Sequence, residues 1–75
     1  MEHLYHGGWD CVCEAQPTLD GFQAVVTCRS LIDGHIEQSI VDRLVNDTAS
    51  EAIRRAMEVA LKWASENSHT LQKLR

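Results

Sequence analysis

The sequence predicts an α+β domain: a three-stranded antiparallel β-meander with one C-terminal α-helix packed on one face, in the order β-β-β-α. Three observations carry that expectation. Two runs alternate apolar and polar residues with a period of two, turn signals separate the runs, and residues 48–67 repeat apolar positions at helical spacing. Seventy-five residues make one domain at most, near the size at which a single core only just sustains folding. The expected division is a flexible lead-in over 1–8, the meander over 9–47, the helix over 48–67 and a tail over 68–75.

The lead-in ends at Gly7-Gly8, read as a break. From Trp9 to Ala15 the odd residues Trp9, Cys11, Cys13 and Ala15 share one side, and Asp10, Val12 and Glu14 share the other. That pattern predicts a half-buried strand whose pairing reaches back to Tyr5, on the odd-numbered side. Pro17, which has no N–H to donate, and the turn pair Asp20-Gly21 mark the next connection. The second strand runs from Phe22 to Ser30, with Phe22, Ala24, Val26 and Cys28 as its apolar, inward face. Asp33-Gly34 is the strongest short-range hairpin signal, because glycine accepts the positive φ of a tight turn. A third strand is expected over about His35 to Leu44, at the sheet edge, with a bulge near Ser39–Val41 to reconcile its blurred alternation.

Thr48-Ala49-Ser50-Glu51 fits a capping box, and the helix that follows is strongly two-sided. Ala49, Ala52, Ile53, Ala56, Met57, Val59, Ala60, Trp63 and Ala64 form its apolar arc; Arg54, Arg55, Glu58, Lys62, Ser65 and Glu66 fill the opposite arc. The alanines permit a close approach to the sheet, while Ile53, Met57 and Trp63 supply bulk. On the polar side Glu51–Arg55, Arg54–Glu58, Glu58–Lys62 and Lys62–Glu66 stand four residues apart, a spacing that lets opposite charges pair.

Composition narrows the functions. An apolar fraction of 44% with 24% charge is ordinary for a soluble globular chain. No apolar run approaches the roughly 20 residues of a membrane span, and MEHLYHGG lacks the basic start and apolar centre of a signal peptide. Three cysteines cannot all pair within one chain, so free thiols in a reducing, cytoplasmic setting are expected. Charge is uneven: residues 1–47 carry eight acids against two bases, and residues 48–75 carry three against five. The sheet is thus a poor phosphate surface, and any nucleic-acid contact falls to the helix, through Arg54, Arg55 and Lys62, or to Lys73 and Arg75.

The chemistry-bearing residues form no catalytic pattern, and no P-loop, dinucleotide fingerprint, G-x-S-x-G or H-E-x-x-H occurs. Cys11, Cys13 and Cys28 are expected on one inward face. Thiolates so placed, with His6 or His35, suit a metal or redox sensor, but reduced cysteine is also a common small core residue, and C-x-C in a strand is not zinc spacing. Core packing is the better reading, with no metal and no cofactor. His3 and His6 read as solvated, His35 and His69 have no evident partner, and Asp10 and Glu14 read as solubilising acids on an exposed strand.

One helix on three strands leaves the second sheet face open. Val12, Val25, Thr27 and Val41 are expected there among polar residues, a semi-apolar surface suited to a homodimer or a protein partner. The leading expectation is therefore a noncatalytic interaction or regulatory module acting through this face or an edge strand, with self-association. The alternatives are a transcription-associated protein contacting DNA through the basic helix face, and the cysteine sensor.

The layout Tyr5…Gly8-Trp9-Asp10-Cys11-Val12-Cys13, then Gly21-Phe22-Gln23-Ala24-Val25-Val26, the Asp33-Gly34 hairpin and the helix start from Asp47 to Ala52 resembles small uncharacterised bacterial domains. These have the form Y-x-G-[aromatic]-x-I-x-V, three strands and a terminal helix. In its β-β-β-α order the chain is also similar to the HlyU-type family of bacterial transcriptional activators. The doubled Gly7-Gly8 departs from the single glycine of the pattern. The resemblance implies a bacterial, cytoplasmic, regulatory or accessory protein, and supplies fold positions rather than site residues.

Overall fold

Gly7 and Gly8 do not break the chain; they turn it. In the computed structural model, which describes residues 1–68, both glycines have positive φ (59° and 90°) and His6 stands opposite Trp9. Two left-handed residues between paired strands make the mirror-image turn that suits the twist of a hairpin. The residues expected as a flexible lead-in are therefore a strand, β1 (Glu2–His6), antiparallel to β2 (Trp9–Pro17). β3 (Phe22–Ser30) and β4 (Ile36–Asn46) follow, and the helix α1 (Ala49–Glu66) is the last element among the described residues. The fold is α+β with an antiparallel sheet and one C-terminal helix, but the sheet has four strands in the order β1-β2-β3-β4, not three.

The connections are tied by small polar groups. Between β2 and β3 the Thr18 hydroxyl accepts from the N–H groups of Asp20 (3.2 Å) and Gly21 (3.1 Å), and the Thr18 N–H donates to the Gly21 carbonyl. The β3–β4 hairpin turns at Asp33-Gly34 as expected, although its loop takes in residues 31–35; the Gly34 N–H donates to the Ser30 carbonyl at 2.8 Å. β4 is an edge strand, and it is irregular on either side of the expected bulge. Cys28 pairs Gln38 but Arg29 pairs Ile36, which leaves Glu37 extra, and β4 gains two more residues between the pairs Val25–Val41 and Gln23–Val45.

At the helix start the Thr48 hydroxyl accepts from the Glu51 N–H at 3.1 Å and donates to the Glu51 carboxylate at 3.3 Å. At its end the N–H of Asn67 and its side-chain amide both donate to the Trp63 carbonyl (3.0 and 2.8 Å). The buried helix residues are Ala52, Ala56, Ala60 and Ala64, a row one turn apart that lets the helix settle against the sheet. The bulk comes from the strands: Trp9, Cys11, Cys13, Ala24, Val26 and Cys28 meet that row, while Leu4, Ile40, Met57, Val59 and Trp63 pack around its margin. Ile53 is only half-buried. Trp9 meets Trp63 edge-on with ring centroids 4.7 Å apart, and its indole N–H donates to the Asn67 carbonyl at 2.8 Å.

Candidate interaction surface

The sheet has two very different faces, and the register fixes which residues share them. Val12 stands opposite Thr27, which stands opposite Ser39; in the next row Glu14 stands opposite Val25, which stands opposite Val41. The four residues singled out for the open face thus lie in two adjacent rows across β2, β3 and β4. Val12, Val25 and Thr27 are half-buried by their neighbours, and Val41 is 53% exposed.

Exposed apolar side chains gather towards β4. Ile36, Val41, Leu44 and Val45 on the strand itself are exposed, as are Leu31 and Ile32 in the hairpin that leads into it. Its polar residues contribute too: Arg43 and Glu37 are exposed, while Asp42 turns towards the helix and binds Arg55 through Nε at 3.0 Å. An inward-turned, paired charge is one of the devices that keeps an edge strand from indiscriminate pairing. On the helix side of the strand, Ile40, Val59 and Trp63, with Arg55, Glu58, Lys62 and Glu66, line an open groove of about 430 Å³.

The other end of the open face is polar, and differs from the sequence reading. Asp10 is not a solubilising surface acid; it is 2% exposed, although it points away from the helix. Tyr5, Asp10 and Arg29 form one row across three strands. The Asp10 carboxylate accepts from Arg29 at 2.8 Å and is bound by His3 Nδ1 at 2.8 Å, while the His3 ring stacks on Tyr5 with centroids 5.8 Å apart. Tyr5 was expected on the side of Trp9; the two-residue turn reverses parity, so Leu4 takes the inward place. His6 also has a partner, the Ser65 hydroxyl, at 3.2 Å. His35 lies between Asp33 and Glu37, and the hydrogen bond to Glu37, followed by that to Asp33, raises its pKa.

The cysteines are placed as the alternation requires. Cys11 stands directly opposite Cys28, and all three thiols are sealed beneath the helix. Burial pushes the Cys13 thiol up to about 11, and burial together with the Cys11–Cys28 hydrogen bond pushes Cys11 higher still. Burial also raises Cys28. These groups are therefore thiols rather than the thiolates that bind metals or attack disulfides. Among the described residues no group of three or more His, Cys, Asp or Glu side chains is placed to hold a metal ion.

The basic helix residues divide. Arg54 and Lys62 are exposed, but Arg55 reaches across to Asp42 and along to Glu58 (3.7 Å). The expected Glu51–Arg55 pairing thus gives way to a bond between helix and sheet. Lys73, Arg75 and His69 lie outside the described residues. Among the described residues no helix is long and apolar enough to cross a membrane.

β1 and its polar row were legible only through Gly7-Gly8. A Gly-Gly pair between alternating residues is a hairpin signal, and applying it would have set Tyr5 opposite Asp10. Compared with protein-family models, with curated proteins and with solved structures, the chain matches none.

Proposed function

We propose that this chain is a noncatalytic interaction module whose working surface is β4 together with the semi-apolar sheet face beside it, and that it self-associates through that surface. The supporting observation is the concentration of exposed aliphatic residues on one strand: Ile36, Val41, Leu44 and Val45 along an edge with one side unpaired among the described residues. An edge strand offers unpaired backbone donors and acceptors, and apolar side chains around them add a driving force for covering it. Val25 continues the patch inward from Val41, its direct cross-strand neighbour. The DNA-binding alternative loses part of its charge because Arg55 is committed to Asp42.

Sedimentation equilibrium over a wide concentration range tests the reading. A reversible monomer–dimer equilibrium, shifted towards monomer by Val41→Asp, is expected. A strict monomer at the highest concentration, with no co-purifying partner, would overturn it.

A further inference from the structure

The inference drawn here rests on the proposed self-association and gives it a geometry. We propose that two copies join β4 to β4 as antiparallel neighbours about a two-fold axis normal to the sheet, centred on Ile40. Such an axis keeps both helices on the same side, so each inward residue meets an inward residue of the second copy. With Ile40 at the centre, Ile40 meets the partner's Ile40, Ser39 meets the partner's Val41, and Gln38 meets the partner's Asp42. Glu37 then meets the partner's Arg43, and by symmetry the pair occurs twice.

Charge selects this register over its neighbours. Centring on Ser39 sets Asp42 against Ile36 and His35 against Arg43. Centring on Val41 sets Asp42 against Ile40 and Glu37 against Val45. Centring on Asp42 sets that carboxylate against itself, and like charges directly opposed across strands are destabilising. Only the Ile40 centre gives each charge of the central segment an opposite charge or an amide. Arg43 is available for this: its guanidinium makes no ion pair among the described residues, whereas Arg29 and Arg55 are both engaged. Glu37 is exposed and, among the described residues, is bound only by the neighbouring His35. The arrangement also places the groove lined by Ile40, Val59 and Trp63 alongside the seam, where the partner's groove faces it from the same side.

Charge reversal tests the register. Arg43→Glu alone and Glu37→Arg alone each convert two attractive pairs into two repulsive ones, and each is expected to weaken self-association about tenfold or more. Mixing the two variants in equal amounts restores association, because both pairs between positions 37 and 43 in the mixed dimer are then of opposite charge. Ser39→Cys mixed with Val41→Cys should in addition cross-link under mild oxidation, since the three native thiols are sealed in the core. A dimer that ignores both reversals and fails to cross-link would overturn this geometry while leaving self-association through another part of the surface intact. A wild-type protein that stays monomeric would overturn both.

Discussion

β3 and β4 are adjacent strands of similar length, yet they meet different surroundings. β3 has strands on both sides and the helix beneath it, and Ala24, Val26, Cys28 and Ser30 are all buried. Among the described residues β4 pairs on one side only; it is shifted twice in register and contains no buried residue. It carries more charge, with Glu37, Asp42 and Arg43 against Arg29 alone in β3, yet Ile36, Ile40, Val41, Leu44 and Val45 would serve well in a core. The difference teaches that position in the sheet, as well as hydrophobicity, sets the burial of a strand: even the aliphatic residues of β4 stay uncovered. Aliphatic residues kept at an edge then need another reason, and the proposed self-association would supply one.

The comparison can be broken or sharpened by substitution. The largest effect is expected beneath the centre of the sheet: Ala60→Leu should cost about 3 kcal/mol or more, because the fully buried alanine leaves no space for added methylenes. Leu61→Ala, one residue further on the exposed side, should stay within about 0.5 kcal/mol. Denaturant titration reads both. Next, Val26→Ala in β3 should cost roughly 2–3 kcal/mol, and Val41→Ala in β4 less than about 0.5 kcal/mol in the monomer. Equal costs for the two valines would end the distinction between the strands.

A smaller effect is expected on the polar end of the open face. Asp10→Ala removes the acceptor for both His3 and Arg29 and should cost about 1–2 kcal/mol, less than a core cavity because those partners can turn to water. The smallest effect near neutral pH belongs to the thiols. Their folded pKa values lie above the unfolded value near 9, so between the two the native state holds protons that the unfolded chain has lost. Their contribution to stability is complete below about pH 9 and declines as pH rises towards about 11 for Cys13, and beyond for Cys11. Melting temperatures recorded across that window should fall, and alkylation at pH 8 should proceed only through unfolding. Rapid labelling of the native protein would show that the core is not sealed.

The two central strands and the helix were legible in the sequence because their periodicity is clean and each boundary carries its own chemistry. Thr48 and Asn67 cap the helix where the spacing placed its ends. Val12, Val25, Thr27 and Val41 could be set on one face because alternation survives across β2 and β3 and through the middle of β4. What stayed hidden depended on pairing. Asp10 on an isolated strand is a surface acid; it becomes buried only when β1 brings His3 and Tyr5 over it and β3 brings Arg29. His35 gained its two carboxylate neighbours from the shape of a loop, not from spacing. The bulges of β4 likewise reflect how a longer strand fits a shorter one, a property of the pair rather than of either sequence.

The bond from the Trp9 indole to the Asn67 carbonyl has a consequence for the order in which the protein is made. Its two ends are 58 residues apart, so at about 5–20 residues per second the second end is synthesised roughly 3–12 s after the first. Once β3 has been made the β2–β3 hairpin can form, but its apolar face has no helix to cover it. The nascent chain therefore presents Trp9, Val26 and three reduced thiols to whatever surrounds the ribosome, and its last folding step awaits the arrival of the helix.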